Sequence, residues 1–300
     1  MLGNYVSPPF LGSHVRHHGR VGDPCCELLD AGNGRRLERF GDRVCDRPAP
    51  TAVEPPRDAG AWNATDLRFD KYVGWMSVAD DEPAPWEVED GDLRFELRPT
   101  ETGQVGLFPE QTPNRDWIRS AIGRLPAPPS ILNLFSYTGA TTLDAAAAGS
   151  SVTHVDGSRP TVAWARRNAE LSGLTDRPIR WIVDDADAFV DRELRRERRY
   201  DAVVLDPPSY GHGGHGRGAA WRLEDRLAGL LERCAELTDG DPAFVVLSAH
   251  TPGFGPDRLA EELALAFRRR PGSVDAGDLE LRARSGARLR LGAYARMIRE

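Results

Sequence analysis

Beyond residue 130 the chain alternates short apolar runs with longer amphipathic stretches. The apolar runs predict strands at Ile131–Phe135, Val152–Val155, Arg180–Val183, Ala202–Leu205 and Phe244–Leu247. The longer stretches predict helices over Ala140–Ala148, Pro160–Leu171, Asp187–Arg195, Arg222–Leu237 and Pro256–Arg269. Two closing strands are predicted around Leu279–Ala283 and Leu289–Arg296. This alternation predicts an α/β fold, a seven-stranded, mostly parallel sheet with helices on both faces.

The preceding residues have a different pattern, and we predict a small β-rich domain over residues 27–124. The strands Trp86–Glu89 and Leu93–Arg98 flank an Asp-Gly turn, which is typical of a hairpin. A loop of turn formers at Gly103–Gln111 then leads into a helix that ends near Ile122. The proline-rich Pro126–Ser130 predicts a domain boundary, so the second domain spans residues 125–300. Residues 1–26 show no periodicity and are expected to form a disordered extension.

Composition and charge narrow the classes of function. No apolar run approaches the roughly 20 residues of a membrane helix, and the first residues lack a signal-peptide core, so we expect a cytoplasmic protein without a membrane partner. The net charge of −7 weighs against bulk electrostatic binding to nucleic acid. Lys71 is the only lysine, and the many arginines fit either a local basic groove or the bias of a GC-rich genome.

The four cysteines are Cys25, Cys26, Cys45 and Cys234, and they form no C-x-x-C pair. Neither a zinc site nor a thioredoxin-type redox site is therefore indicated, and we expect no bound metal. Free thiols in a reducing compartment are the simplest interpretation.

Acids or glycine turns follow four successive predicted strands. They are Ser136–Ala140, Asp156–Ser158, Asp184–Ala186 and Asp206–Tyr210. In such sheets ligands bind outside the carboxyl ends of the strands. A glycine turn offers helix N–H groups to a carboxylate or phosphate, and an acid after the second strand can accept hydrogen bonds from both ribose hydroxyls. An acid after the third strand can accept from an adenine amino group, so the pattern predicts a nucleoside cofactor.

The first turn discriminates between two such cofactors. Dinucleotide sites use G-x-G-x-x-G, whereas the turn here, Phe135–Ala140, holds one glycine. A pyrophosphate would lack the close backbone approach that the other glycines allow. A single carboxylate, such as that of S-adenosylmethionine (SAM), needs less, so the sequence favours SAM over NAD.

Three segments together resemble a known family: Asn133-Leu-Phe-Ser-Tyr-Thr-Gly139, His154-Val-Asp-Gly-Ser158 and Leu205-Asp-Pro-Pro-Ser-Tyr210. They look like the class I SAM-dependent methyltransferases of the large-subunit ribosomal RNA type, relatives of the bacterial 23S rRNA cytosine-C5 and guanine-N7 enzymes. Upstream, Gly106–Gln111 with Asn114-Arg115 resembles the segment that precedes the catalytic domain in that family. The resemblance runs from about residue 86 onward and implies the family's Rossmann-like sheet.

The resemblance also implies roles for individual residues. The turn of Phe135, Ser136, Tyr137, Thr138 and Gly139 would hold the methionine part of SAM. Asp156 with Ser158 would hold the ribose, and the adenine would lie against Ala186 and either Asp185 or Asp184. Asp206, Pro207 and Pro208 would stand beside the reacting methyl group. The acceptor would contact Phe108, Gln111, Arg115, Tyr210 and His250. Acids in these positions can also simply cap the next helix, an alternative open for both Asp156 and Asp185.

The sequence departs from the family at one chemical position. The cytosine-C5 enzymes use a cysteine after the fifth strand, where this chain has Leu247-Ser-Ala-His-Thr251. Covalent addition to the base needs a thiolate-like nucleophile, so C5 methylation is disfavoured. Asp-Pro-Pro followed by an aromatic residue instead indicates methylation of a nitrogen, with Tyr210 available to stack on a base. His250 is a candidate base, and the glycine-rich Gly211–Gly218 a candidate mobile loop.

We therefore predict a SAM-dependent methyltransferase that modifies a base of ribosomal RNA by direct in-line transfer. A small-molecule or protein acceptor remains an alternative, as does a non-catalytic RNA-binding factor with the same fold. RNA is the expected partner, and a homodimer is left open.

Overall fold

The computed structural model describes residues 25–79, 83–211, 221–268 and 272–299. Residues 1–24 of the expected extension, and all but the first residue of the expected glycine-rich loop, lie outside the described residues. Cys25 and Cys26, by contrast, are described, and the first strand begins at Cys26.

The sheet predicted beyond residue 130 is present and has seven strands. Its members are β8 (Ser130–Leu134), β9 (Ser151–Asp156), β10 (Ile179–Val183), β11 (Ala202–Leu205), β14 (Phe244–Ala249), β15 (Ser273–Arg282) and β16 (Arg288–Ile298). The short strands β12 (Tyr210–Gly211) and β13 (Trp221–Arg222) pair with each other outside this sheet. The order of the seven strands across the sheet is β10-β9-β8-β11-β14-β16-β15. The first five strands are parallel and the last two run antiparallel to their neighbours. The predicted fold class is confirmed.

Six helices flank this sheet: α1 (Thr112–Arg124), α2 (Ala140–Ala147), α3 (Arg159–Leu171), α4 (Ala186–Arg195), α5 (Leu223–Leu237) and α6 (Pro256–Ala266). Alternate residues of each strand face opposite sides of the sheet. Ile131 and Val204 pack with α1 and α2 on one side. Leu132 and Leu205 pack with α4, α5 and α6 on the other. Both faces of these strands are therefore buried, which explains why their sequences are continuous apolar runs.

The predicted bounds differ at a few ends. Phe135 was expected to close the first strand, but it adopts φ 57° and begins the following turn. The helix predicted as far as Arg269 ends at Ala266, and Arg269 itself lies outside the described residues. The closing strands β15 and β16 are both longer than predicted, and the added residues at the start of β15 are exposed or half-exposed, so they lack an apolar signal.

The N-terminal unit contains a five-stranded sheet ordered β1-β2-β3-β4-β5. Its strands are β1 (Cys26–Gly32), β2 (Arg35–Phe40), β3 (Arg43–Pro48), β4 (Leu67–Asp70) and β5 (Gly74–Ser77). The predicted hairpin follows as β6 (Trp86–Asp90) and β7 (Leu93–Leu97). The sequence predicted a β-rich domain but not these first five strands. Arg36, Glu38, Asp46 and Arg47 are buried in β2 and β3, so the apolar alternation that marks a strand is missing there.

The N-terminal sheet packs on the far end of the chain. Leu28, Ala31 and Ala52 form one apolar cluster with Ala283 and Leu289 of the β15–β16 hairpin. Ser285 donates a hydrogen bond to Asp30 at 3.2 Å. This contact brings the first and last described strands of the chain together.

Helix α1 belongs to the large sheet by its packing. Ile118, Ala121 and Ile122 are buried against Ile131 and Val152. The domain boundary predicted at Pro126–Ser130 remains a prediction. None of the helices among the described residues is both long and apolar enough to cross a membrane.

Candidate active site

A cleft opens at the carboxyl ends of β8 and β11. The strand order reverses between these two strands, and ligands bind in open α/β sheets at such a reversal. Eight of the predicted site residues line it: Phe108, Gln111, Arg115, Phe135, Ser136, Tyr137, Thr138 and Asp206.

The turn after β8 is tightly wound. Phe135 (φ 57°) and Tyr137 (φ 49°) both adopt left-handed backbone conformations, which are uncommon outside glycine and concentrate at functional sites. Ser136 fixes the turn because its Oγ donates to the Asn133 carbonyl at 2.7 Å. Gly139 (φ 89°) begins α2 where a Cβ would lie 3.1 Å from the Ala165 Cβ. The turn therefore exposes backbone groups and the N-terminus of a helix to the cleft.

Asp156 is the last residue of β9 and is hydrogen-bonded to this turn. Its Oδ2 accepts a hydrogen bond from the Tyr137 N–H at 3.0 Å, and its Oδ1 accepts from the Ser158 N–H at 2.9 Å. Burial raises the pKa of Asp156 above its usual range, although both N–H groups oppose the shift. Ser158 caps α3 itself by accepting from Thr161 N at 3.3 Å. Asp156 is therefore not the helix cap, and its carboxylate is oriented beside the cleft wall.

The two acids after β10 have different partners. Asp185 caps α4, its Oδ1 accepting from the Ala188 N–H at 3.0 Å. Asp184 forms an ion pair with Arg192 and accepts from the Asp185 N–H at 2.9 Å. Within the described residues the second oxygen of Asp185 has no hydrogen-bond partner, so this geometry favours Asp185 over Asp184 for an adenine contact. Neither acid, nor Ala186 beside them, is part of the cleft wall.

Asp206 directly follows β11 and lies at the centre of a polar cluster. The Ser248 hydroxyl donates to its Oδ1 at 2.6 Å, and the Gln111 amide donates to its Oδ2 at 3.2 Å. The Nε2 of His250 lies 3.5 Å from Oδ1. Burial raises the pKa of Asp206, but the charge of His250 and these hydrogen bonds outweigh it and hold the pKa below its usual range. Asp206 is therefore a carboxylate at neutral pH.

His250 is oriented from the opposite side by the backbone. Its Nδ1 lies 2.8 Å from the carbonyl of Leu291, and since a carbonyl only accepts, Nδ1 carries a proton. Burial lowers the pKa of His250, but Asp206 and then Glu110 favour its cation and raise the pKa to about 9. At neutral pH His250 is thus a hydrogen-bond donor, which argues against the role of general base considered from the sequence.

Aromatic rings form the mouth of the cleft. The Phe108 ring lies 5.1 Å from that of Tyr137 and 6.3 Å from that of His250. Tyr210 stands outside, with 74% of its surface exposed. It follows Pro207, which is buried, and Pro208, whose carbonyl accepts the Trp221 indole N–H at 2.8 Å. The Asp-Pro-Pro turn is therefore anchored on the side away from Asp206.

Arg115 lines the cleft but is buried, and its guanidinium is engaged on both edges. It pairs with Asp144 and lies 2.7 Å from Asp90. This arrangement joins α1, α2 and the β6–β7 hairpin, which favours a structural role over an acceptor contact.

Two functional residues were missed at the sequence level. Ser248 donates to Asp206, and Asn114 donates to the Gln111 Oε1 at 2.7 Å while accepting from Arg296 at 2.8 Å. Ser248 lies near the end of the fifth parallel strand, at the same sheet edge as the acids, and that position could have identified it. Asn114 lies within the resembling segment but was given no role, and its bond from Arg296, which is 182 residues away, has no local signal.

Comparison with known proteins establishes the family. A family model described as S-adenosylmethionine-dependent methyltransferase matches residues 58–272. This chain belongs to that family. The methyltransferase is also similar to the crystal structure of the SAM-dependent methyltransferase from Agrobacterium tumefaciens, with a TM-score of 0.87 and 33% identity over 93% of this chain and 92% of that one. SAM is therefore the cofactor of this methyltransferase family.

Curated relatives carry a more specific name. The ribosomal RNA large subunit methyltransferase K/L of Allochromatium vinosum is 39% identical over 125 residues, 41% of this chain and 16% of that protein. Its counterpart from Stutzerimonas stutzeri is 34% identical over 159 residues, 53% of this chain and 21% of that protein. The alignments thus span about a fifth or less of these relatives.

The site suits SAM in the chemistry of its donor set. The half-buried Asp156 carboxylate accepts from two backbone N–H groups and keeps further lone pairs for the hydroxyl groups of a ribose. Because no cation among the described residues balances its charge and burial disfavours that charge, additional hydrogen-bond donors from a ligand would stabilise it. Aromatic rings of Phe108 and Tyr137 supply an apolar wall. The helix N-terminus at Gly139 suits a carboxylate.

Proposed function

We propose that this methyltransferase transfers the methyl group of SAM to a nitrogen atom of a base in ribosomal RNA. The observation that carries this proposal is the Asp206 carboxylate, held by Ser248, Gln111 and His250 at the end of β11. The described wall of the cleft includes no cysteine that could attack a base carbon. The names of the curated relatives support RNA as the acceptor, and such an acceptor would place the reaction in the cytoplasm.

In this proposal three parts of the edge hold the cofactor. The Phe135–Gly139 turn binds its amino-acid end, Asp156 accepts from the ribose hydroxyls, and Asp185 accepts from the adenine amino group. When bound, SAM supplies a methyl group made electrophilic by its sulfonium. The protein's part is then to exclude water and align the acceptor, which can provide most of the rate.

Asp206 aligns the acceptor. Its carboxylate accepts a hydrogen bond from an N–H of the base and so fixes the direction of the nitrogen lone pair. The same carboxylate takes the proton that this nitrogen must lose when it is methylated and releases it to solvent. The His250 cation lies on the same side, where it donates to an oxygen of the base, while both hydrogens of the Gln111 amide hold Asp206 and Ser248 in place. A donor and an acceptor set side by side suit the edge of a nucleobase better than an isolated amine or hydroxyl.

The exposed Tyr210 extends this surface outward. RNA enzymes commonly stack an unpaired base on an aromatic side chain, and Tyr210 is two residues beyond the Asp-Pro-Pro turn. The chain's net charge of −7 means that binding must rest on such local contacts rather than on overall charge.

Transfer of radiolabel tests the proposal. The protein is incubated with methyl-labelled SAM and, separately, with total RNA, protein and small-molecule extracts, and labelled RNA is digested for nucleoside mass spectrometry. We expect label in large-subunit ribosomal RNA, on a base nitrogen. Label in the protein or small-molecule fraction would replace RNA as the acceptor. RNA binding without transfer in any fraction would indicate a non-catalytic factor.

A further inference from the structure

One wall of the cleft is built from a segment with little structure of its own. Gly106, Leu107, Phe108 and Gln111 line the cleft, yet the wall segment Gly103–Gln111 contains only a single 3₁₀ turn at Pro109–Gln111. Backbone hydrogen bonds tie its first residues to the preceding ones, from the Arg98 N–H to the Val105 carbonyl at 2.9 Å and from the Thr100 N–H to the Gln104 carbonyl at 3.0 Å. The rest of its position depends on contacts with other parts of the protein. Its position decides where the Phe108 ring and the Gln111 amide stand.

The methyltransferase sheet holds the segment from one side. The Thr138 hydroxyl, on the turn after β8, donates to the Gly106 carbonyl at 2.5 Å. Trp164 of α3 covers Gly106 so closely that a Cβ there would lie 2.4 Å from its ring. These contacts fix the middle of the segment against the cofactor turn.

The N-terminal sheet holds the other end, through Arg47 of β3. Its Nη1 donates to the Gly103 carbonyl at 3.2 Å and to the Gln104 Oε1 at 3.0 Å. Its Nε donates to Glu38 on β2 at 2.9 Å, and both side chains are almost fully buried. A Cβ on Gly103 would lie 2.6 Å from the Phe69 ring, so the segment runs directly against this sheet.

Arg47 makes more hydrogen bonds than its ion pair with Glu38 requires. Glu38 has a second cation nearby, since Arg36 lies 3.3 Å from the same carboxylate oxygen. Buried ion pairs often contribute little to net stability, because removing both charges from water costs about as much as their attraction returns. The guanidinium fork, however, reaches both Glu38 and a backbone carbonyl 56 residues further along the chain. Only arginine offers donors in that fixed planar arrangement.

We infer that Arg47 is a positioning residue for the cofactor pocket, acting from the N-terminal sheet through the wall segment Gly103–Gln111. The five-stranded sheet then forms part of the SAM-binding apparatus rather than a separate appendage. This rests on the proposed assignment of the cleft to SAM, but it is independent of which acceptor is methylated.

Arg47→Lys is the decisive variant, because it keeps a charge beside Glu38 and removes the fork. SAM affinity is measured by calorimetry without any acceptor, so the result stands even if RNA proves not to be the substrate. We expect SAM to bind about 10-fold more weakly, the effect of losing two hydrogen bonds. Hydrogen exchange should accelerate most in the peptide covering residues 103–111, and the thermal midpoint of the ligand-free protein should fall somewhat because buried hydrogen bonds are lost. Arg43→Lys, on the same strand, is the matched control and should behave as the wild type.

Wild-type SAM affinity or unchanged exchange in folded Arg47→Lys would overturn the inference. So would an equal loss of affinity in Arg43→Lys, because the effect would then be general to the strand. If Arg47→Lys fails to fold, Gln104→Ala decides, since it removes one contact and leaves the Arg47–Glu38 pair intact. A loss of about 3-fold with normal folding supports the inference, and unchanged affinity rejects it. If the wild-type protein binds no SAM, the assignment of the cleft to SAM is wrong. This outcome is distinct from failure of the inference about Arg47, in which the wild type and the variants bind SAM equally well.

Discussion

Replacing Asp206 by asparagine separates alignment of the acceptor from binding of the cofactor. The substitution keeps the shape of the side chain but removes the charge that Ser248, Gln111 and His250 surround at 2.6, 3.2 and 3.5 Å. One carboxylate oxygen becomes an NH₂ group, which can accept from none of these donors. The cluster therefore loses both an acceptor and the counter-charge of the His250 cation.

The expected cost falls on the rate. Losing one well-placed polar group that acts in the transition state typically costs about 10²–10³ in kcat, or about 2.7–4 kcal/mol. We expect Asp206→Asn and Asp206→Ala to lose about 100-fold or more in kcat while SAM affinity changes only a few-fold, because Asp206 is placed beside the acceptor. Single-turnover methyl transfer at saturating SAM, with calorimetry for the affinity, measures the two effects separately.

Asp201→Asn provides the control at the opposite end of the same strand. Asp201 accepts from the Ser130 N–H and hydroxyl, both at 2.7 Å, at the amino edge of the sheet and away from the cleft. It should retain wild-type kcat. Full activity in Asp206→Asn would refute the assignment and make the Asp-Pro-Pro turn structural. A parallel loss of SAM affinity and rate would move Asp206 into the cofactor site instead.

Three further predictions concern other residues. Asp156→Ala should weaken SAM binding by about 2–3 kcal/mol, the range for hydrogen bonds to a charged group, and unchanged affinity in calorimetry would contradict the ribose contact. Replacing Cys25, Cys26, Cys45 and Cys234 together should leave turnover nearly intact in a folded protein; loss of activity on changing Cys234 alone, with a trapped adduct on 5-fluorocytosine RNA, would contradict direct transfer. The pKa of His250 is raised from 6.5 to about 9, so folding favours its cation. Wild-type protein should be more stable than His250→Gln below about pH 6.5, and this difference in stability should disappear as the pH rises through about 9. The thermal midpoints of both proteins, measured against pH, test this. A difference that does not change with pH would show that no cation forms.

The seven-stranded sheet could be predicted because its strands are buried on both faces. Val203-Val204 and Val245-Val246 are apolar without interruption, and glycines and prolines separate each run from the next. The N-terminal sheet could not be predicted in this way. Its β2 strand buries Arg36 and Glu38, whose burial depends on pairing with each other and with Arg47, a strand away. A pattern of hydrophobicity along the chain contains no information about such partners.

The candidate site, too, could be predicted from the sequence only in part. The rule that ligands bind at the carboxyl ends of parallel strands placed Asp156 and Asp206 at one edge, and the structure puts both there. Gln111 was identified only through the family resemblance, and His250 through the resemblance and its place just after the fifth parallel strand. Their convergence on Asp206 requires the wall segment to fold back over the sheet, which no local signal specifies.

The contact between the first strands and the β15–β16 hairpin has a consequence for synthesis of the protein. Leu28 and Ala52 leave the ribosome long before Ala283 and Leu289, against which they pack. Until the β15–β16 hairpin has been made, this apolar face of the N-terminal sheet lacks that partner, and exposed apolar surface of this kind favours aggregation. Packing of this face therefore waits for a distant part of the chain, which places it late in folding during synthesis.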